Sequence, residues 1–460
     1  MENVLSTAFY YVLIPLAVLG IAVNIHEFGH FMVAKLFGMR VEAYSFFGLG
    51  PRIWGIKRGH TDYRISAIPL GAYVKLYGDE ATAALEGGES GGEKVPEREL
   101  YELRPRWQKF LVMLGGPFMN LVLAFSIPLG SAFIQGIPAV PAPVIGTVKA
   151  DGPAAAAGIK PGDRIVAFNG VENPTWRRVI IEAGINPERS IPVVVERGDQ
   201  KMSLEITPRK EEIFAGQSGG LIDAEPDLGV VPVVVGLVTP NSGASDAGLQ
   251  PGDRLVSMNG VVPRDPQDAT DLIQKYKDAP IQLVVERNGE RMNVVAAVRK
   301  LENGETRLGF VPRRPELPLE PATVATAIDY AYTSNVENLR TTATVLGQVF
   351  AGRRSVKDSG IGGPVGIFQQ SAEATKTMGV EGFFLILGLI SLSLGVFNLL
   401  PIPLLDGGQI MVLAIEKVMS WFGKTLSMVA KERIQMTGLA IVLLLMVTVI
   451  FFDVSRLIGR

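Results

Sequence analysis

The sequence predicts a polytopic α-helical membrane protein: four transmembrane helices, a membrane-associated β-element after the first, and two soluble modules in tandem between the second and third. Three observations carry the prediction. Of 460 residues 47% are hydrophobic, and 44 basic residues nearly balance 46 acidic ones, a composition that fits a membrane protein with soluble domains and argues against nucleic-acid binding. Four stretches, roughly 6–36, 108–135, 381–405 and 434–452, reach the length and hydropathy needed to cross a bilayer. Between the second and third, Ala157-Gly158-Ile159-Lys160-Pro161-Gly162-Asp163-Arg164-Ile165-Val166 recurs about ninety residues later as Ala247-Gly248-Leu249-Gln250-Pro251-Gly252-Asp253-Arg254-Leu255-Val256, a period of domain size.

The first span, 1–38, begins Met1-Glu2-Asn3-Val4 without the basic segment of a cleavable signal peptide, so it is expected to stay as a helix. Residues 39–78 form a β-region, in which Tyr63 to Leu76 is β-prone and broken by Pro69 and Gly71 as edge strands are. Its residues Ile65, Ser66, Ala67 and Ile68 are expected to present an unpaired strand edge to a substrate. A flexible, acidic, Gly- and Glu-rich linker is expected over 79–106. The second span, 107–136, contains Gly115-Gly116-Pro117 and Asn120, and the third, 379–406, ends in Asn398-Leu399-Leu400-Pro401-Ile402-Pro403-Leu404-Leu405-Asp406-Gly407. Broken helices at membrane depth are tolerated where they are buried in protein or line a wet cavity, so both interruptions point to one internal site.

The modules occupy 140–222 and 223–313. A connecting segment, 314–378, follows, and within it 322–351 has helical spacing with Ile328, Val336, Leu339, Leu346, Val349 and Phe350 as its apolar face, suited to the membrane surface or to capping the modules. A connection at 407–432 leads to the fourth span and tail, 433–460. Basic residues cluster between spans one and two, whereas Met1 to Tyr11 carries none. By the positive-inside rule that connection is cytoplasmic and the N-terminus and modules are exterior.

The chemistry is concentrated in His26-Glu27-Phe28-Gly29-His30, inside the first span. Residues four apart share a helix face, so the two imidazoles can grip one metal ion while Glu27 stays free to take a proton from water activated by it. At about 1.5 Å per residue the motif lies a turn or two inside the membrane, where ionisable groups are costly unless they serve something. The chain has no cysteine, which leaves nitrogen and oxygen ligands. A third ligand is needed, and His60 and Asp406 are the candidates; Asp406, after the Pro-rich break of span three, is the better one. Asn398, a neutral amide beside the same break, is a candidate for hydrogen-bonding the substrate backbone or a developing oxyanion.

The wording of the repeat, Ala-Gly-x-x-Pro-Gly-Asp-x-Ile/Leu-Val followed by Asn-Gly, resembles the PDZ domains of bacterial envelope proteases, α+β modules that take extended peptides or chain ends. With the His-Glu-x-x-His motif, Gly115-Gly116-Pro117 with Asn120, Gly363-Pro364 and Asn398-x-x-Pro401-x-Pro403-x-x-Asp406-Gly407, the whole chain resembles the site-2 proteases, zinc metalloproteases that cut within membranes. The resemblance implies zinc held by His26, His30 and Asp406, Glu27 as the catalytic glutamate, and a β-element that takes substrate by strand addition. It implies single-span substrates such as the pre-trimmed stump of an anti-sigma factor, with remnant signal peptides as others. It also implies a bacterial inner membrane location with periplasmic PDZ domains. The competing readings are a membrane-anchored PDZ adaptor with a vestigial metal site and a metal transporter. A decayed enzyme would lose Glu27 or Asp406 first, and both stand; a transporter needs no free glutamate between its histidines.

Overall fold

The computed structural model describes residues 4–68, 71–78, 95–214, 217–276, 279–300, 306–313, 317–355, 363–424 and 426–458. The chain divides into two units, Met1–Ile137 with Glu212–Ser218 and Pro321–Arg460, and Pro138–Glu211 with Gly219–Glu320.

Among the described residues of the first unit, four helices are long and apolar enough to cross a membrane: Ser6–Leu36, Arg106–Gln135, Val380–Asn398 and Val429–Phe451. The first contains a π-turn at Phe9–Leu13 leading into α1, Ile14–Leu36. Pro15 has no N–H to return to the preceding turn, and the ladder widens there. Helix α2, Arg106–Gln135, crosses α1 in near backbone contact: a Cβ on Gly29 would sit 2.1 Å from the Gly115 carbonyl oxygen. Glycine is required at that crossing because any side chain would separate the two helices.

Helix α2 carries Pro117 and Pro128. Pro128 cannot donate to the carbonyl of Ala124, and Asn335 Nδ2 donates to it instead at 3.2 Å. Asn335 lies on α5, Val324–Phe350 (helices α3 and α4 belong to the second unit, below), which packs on α2 through the buried small residues Ala327, Ala331 and Ser334. Of the apolar residues expected to face a membrane surface or the modules, Ile328, Val336 and Phe350 are exposed and Leu339, Leu346 and Val349 are half-buried. Small side chains win the contact because they let helices approach closely.

Helix α6, Pro364–Met378, packs with α1 and α7, Val380–Asn398, around Val18, Ala22, Ala374, Ile386 and Leu387. Its N-terminus is held by the buried carboxylate of Asp453, which accepts from the backbone N–H groups of Gly363 and Gly366 at 3.1 and 3.2 Å. Asp453 belongs to α9, Met428–Ile458. The connection expected at 407–432 is largely helix α8, Asp406–Trp421, whose Glu416 lies 2.5 Å from Lys431 and 3.8 Å from Arg106.

The β-region forms a four-stranded sheet of β1 (Val41–Ser45), β2 (Leu49–Arg58), β3 (Thr61–Ile68) and β4 (Tyr73–Leu76), in the order β2-β3-β1-β4. This corrects one expectation. Ile65, Ser66, Ala67 and Ile68 lie on β3, an interior strand: Ile65 opposes Trp54, Ser66 opposes Arg52 and Ile68 opposes Leu49, while on the other side β1 runs parallel to β3 and Ser66 N–H donates to the Phe47 carbonyl. The sheet's edges are β2 and β4. Leu76 and Val41 anchor the β4 side in a cluster with Ala34, Met39, Tyr101, Val112 and Met113.

The expected linker is corrected in part. Residues 79–94 lie outside the described residues, but 95–106 is folded: Glu99 accepts from Arg40 Nε at 2.9 Å, and Tyr101 is buried in the cluster just named.

In the second unit each repeat builds a module around its own core. The first has β5 (Ile145–Val148), β6 (Arg164–Phe168), α3 (Trp176–Ile185), β7 (Ile191–Arg197), β8 (Gln200–Ile206) and β9 (Ala224–Pro226). The second has β10 (Val233–Val238), β11 (Arg254–Met258), α4 (Pro266–Lys275), β12 (Ile281–Arg287), β13 (Glu290–Ala296) and β14 (Phe310–Pro312). Strand β9 pairs with β5, Ala224 opposite Val148, and Asp227 N–H donates to the Val144 carbonyl. The junction between modules therefore falls after Asp227 rather than between 222 and 223.

The recurring Asp has a recurring partner. Arg197 donates from Nε and Nη2 to the two oxygens of buried Asp163 at 2.7 Å, and Arg287 does the same to Asp253, also at 2.7 Å. These hydrogen bonds hold both carboxyls below the ordinary aspartate range against the opposing effect of burial. A depressed folded-state pKa contributes stability that is complete above the unfolded value, about 3.9, and is lost as pH falls through the folded one. Hydrogen exchange in β7 and β12 of the full-length protein should accelerate together below about pH 4. Asp163→Asn should flatten that acid dependence in the first module alone; an unchanged profile in β7 would refute the assignment.

Candidate active site

His26 and His30 face the same side of α1, and their Nε2 atoms are 3.2 Å apart. Asp406 closes the cluster, with Oδ2 3.1 Å from His26 Nε2 and Oδ1 3.5 Å from His30 Nε2. One ligand atom from each of the three residues lies within 4.8 Å of the others, and this is a metal-capable group among the described residues. His60, the other candidate for the third ligand, is exposed at the turn between β2 and β3.

The chain after α7 is shaped to deliver Asp406. Helix α7 stops at Asn398 before Pro401 and Pro403, and Leu404 sits at φ 96°, in the left-handed region that a branched side chain rarely adopts. Such a conformation costs on the order of 1–3 kcal/mol and persists where surrounding structure enforces it. Gly407 lets the turn close, since a Cβ there would be 2.3 Å from the Leu399 carbonyl. Asp406 opens α8 without capping it, and its Oδ2 is buried with no hydrogen-bond partner. A carboxylate with one buried oxygen lacking a donor, its two oxygens set against one imidazole nitrogen each, fits a zinc ion: two histidines and a carboxylate leave the fourth position open, as catalytic zinc sites do.

Helix α2 holds the rings from behind. His30 Nδ1 donates to the Val112 carbonyl at 2.7 Å, and His26 Nδ1 lies 3.3 Å from the side-chain amide of buried Asn120. At Gly116 a Cβ would be 2.4 Å from His30 Nε2 and 2.8 Å from His26 Cε1, so only glycine leaves room for both imidazoles. Asn398 Nδ2 is 3.5 Å from His26 Nε2, beside the cluster.

The cluster opens into a cavity of about 320 Å³, lined also by Glu27, Val74, Leu76, Leu394, Asn398 and Gln409. Glu27 stands outside the three-residue cluster, and its carboxylate is hydrogen-bonded by the backbone of Val74 on β4. The strand edge that meets the site is thus β4. None of Ile65, Ser66, Ala67 and Ile68 lines the cavity.

Sequence reasoning brought together His26, Glu27, His30, Asn398 and Asp406. It took the run 63–76 as the substrate strand but placed the edge at Ile65–Ile68 rather than at Val74 and Leu76, and it missed the Val112 carbonyl. A backbone carbonyl or strand edge has no residue signature, although the interrupting Gly115-Gly116-Pro117 and Asn120 did mark the second span as part of the site.

Residues 14–445 match the model of peptidase family M50. The chain is 32% identical over 465 residues to the regulator of sigma-E protease RseP of Salmonella typhimurium, covering 95% of this chain and 97% of the relative. It is 32% identical over 460 residues to the protein of the same name from Escherichia coli, and 31% over 466 residues to protease RseP of Yersinia pestis, with the same coverage of both chains. A peptidase-family match that spans both halves of the His26, His30 and Asp406 cluster joins the geometry to a reaction: the chain belongs to peptidase family M50 and is a zinc metalloprotease.

Proposed function

We propose that this metalloprotease hydrolyses peptide bonds within transmembrane segments, with zinc held by His26, His30 and Asp406. The observation that carries the reading is the placement of the cluster: two ligands lie inside a helix of spanning length and the third follows directly on another. Bound there, zinc supplies Lewis acidity, making water nucleophilic near neutral pH and polarising the scissile carbonyl. Glu27 takes the proton from the attacking water and returns it to the leaving amine. Asn398 offers its amide N–H to the substrate carbonyl as charge builds on it.

Peptide bonds in a helix are shielded, so the substrate must unwind, and its freed backbone groups need partners at membrane depth. The free edge of β4 supplies them, taking the substrate as an added strand across the cavity. The exposed Leu49, Ile53, Trp54, Ile56 and Ile68 of the sheet are suited to the bilayer surface. The cytoplasmic orientation of the metal side is supported by Arg106, Glu416 and Lys431, which gather the starts of α2 and α9 with α8. The modules, read as periplasmic PDZ domains, bind extended chain ends, and the substrates are single-span proteins already trimmed outside, anti-sigma factor stumps above all, with remnant signal peptides as further candidates.

The experiment is cleavage of a model transmembrane substrate by purified protein, with and without chelation, and with Val74→Pro. Chelation should abolish turnover and added zinc restore it. Proline at 74 removes a β4 N–H that also meets Glu27, so every substrate should lose activity, and at about 0.5–1.5 kcal/mol per hydrogen bond a stable helix should lose up to about tenfold more. A substrate helix already weakened by glycine should lose less. Zinc-independent cleavage would refute the metal mechanism, and equal loss on both substrates would refute strand addition.

A further inference from the structure

Asn120 and Ser391 are both wholly buried at membrane depth, and together they form a closed polar group against the back of His26. Ser391 Oγ donates to the Asn120 carbonyl at 2.9 Å and lies 3.3 Å from Asn120 Oδ1, while Asn120 Nδ2 lies 3.3 Å from His26 Nδ1. Oδ1 and Nδ2 exchange places by a half-turn of the amide, which leaves every other atom where it is.

The two orientations select different tautomers of His26. With Nδ2 toward the ring, Nδ1 must offer its lone pair, and the ring proton sits on Nε2, the atom that faces Asp406 and His30. With Oδ1 toward the ring, Nδ1 carries the proton and donates it to Oδ1, leaving the Nε2 lone pair free for a metal. In that orientation Nδ2 donates to Ser391 Oγ, whose own hydroxyl still donates to the Asn120 carbonyl. The His26 Nδ1–H, one Nδ2–H and the Ser391 hydroxyl then each have an acceptor, as an apolar setting favours. His30 needs no such device, because its Nδ1 faces the Val112 carbonyl, which accepts only.

We infer that Asn120 is the positioning residue for His26, fixing the tautomer that ligates zinc through Nε2, and that Ser391 holds the amide in the required orientation. The inference rests on His26, His30 and Asp406 being the zinc ligands, and its test keeps the two apart. Zinc affinity of the full-length protein in detergent is measured by competition with a chelator. Asn120→Leu removes the acceptor and should weaken zinc binding about 10–100-fold. Asn120→Asp keeps an oxygen acceptor whether ionised or protonated, and should bind within a few-fold of wild type. Ser391→Ala loosens the amide and should fall between them, and combined with Asn120→Leu it should add no further loss, since the two act on one ring.

A role in helix packing alone would leave zinc affinity unchanged in Asn120→Leu, whose branched side chain fills much the same space, and would make the buried carboxyl of Asn120→Asp the more damaging change. Equal zinc affinity in Asn120→Leu and wild type, or equal loss in Asn120→Asp and Asn120→Leu, overturns the proposal. If the leucine variant does not fold, the Asn120→Asp and Ser391→Ala affinities still decide: the aspartate variant must match wild type and the serine variant must fall below it. Asp406→Ala is the separate control for the ligand set, and wild-type zinc affinity in that variant would overturn the set itself rather than the role of Asn120.

Discussion

Glu27→Gln should lower cleavage by about 10²–10⁴-fold, the usual contribution of a positioned acid–base group, while the protein still binds zinc as wild type does. Glutamine keeps the shape and the polar contact with Val74 but cannot accept a proton from water. Glu27 lines the cavity without belonging to the His26, His30 and Asp406 group, which is why metal and activity should separate in this variant. In Asp406→Ala they should fall together. Turnover at the wild-type rate in Glu27→Gln, with zinc bound, would remove Glu27 from the chemistry.

The second large effect is expected from a single methyl group. Gly116→Ala places a Cβ 2.4 Å from His30 Nε2 and 2.8 Å from His26 Cε1. Neither ring can retreat cheaply, because His30 is tied to the Val112 carbonyl and His26 is backed by Asn120. Zinc affinity should drop on the order of 100-fold, the upper range for disturbing ligand orientation, and activity should fall with it. Gly130→Ala on the same helix is the control: nothing lies within 4 Å of its Cβ, so zinc and turnover should be unchanged. A Gly116→Ala protein that binds zinc normally would show that the rings move freely.

These two variants also mark what could be read in the sequence. The histidine pair, the free glutamate and the carboxylate after the Pro-rich break are side chains with a chemistry of their own, and spacing on a helix placed them. The four spans were legible for the same reason: apolar length is a local property. Pairing order is not local. Tyr63 to Leu76 read correctly as β-prone, but Ile65, Ser66 and Ile68 pair with β2 while β1 takes Asp62 to Arg64 of the same strand, which leaves the sheet's edges to β2 and β4. Nothing in a strand's own residues states its neighbours. The contact by which α5 packs on α2 was not legible, because small residues make it while Ile328, Val336 and Phe350 stay exposed. Beside a membrane-type helix, Ala327, Ala331 and Ser334 make the tighter contact. Likewise 95–106, polar in composition, is fixed by the Arg40–Glu99 ion pair, a buried tyrosine and backbone hydrogen bonds from Arg40 to Glu99 and from Tyr101 to Tyr77, which composition does not weigh.

The bond between Asn335 and the carbonyl freed by Pro128 makes one lever of two helices. Ala124 lies one turn along α2 from Asn120, the residue behind His26. Sliding α5 along α2 by even one residue would strand that carbonyl in an apolar setting, a cost of several kcal/mol. The helix that follows the second module in sequence is therefore keyed to α2 at a single notch. Any displacement of α5 along its own axis must either break that key or carry with it the span on which both imidazoles lean.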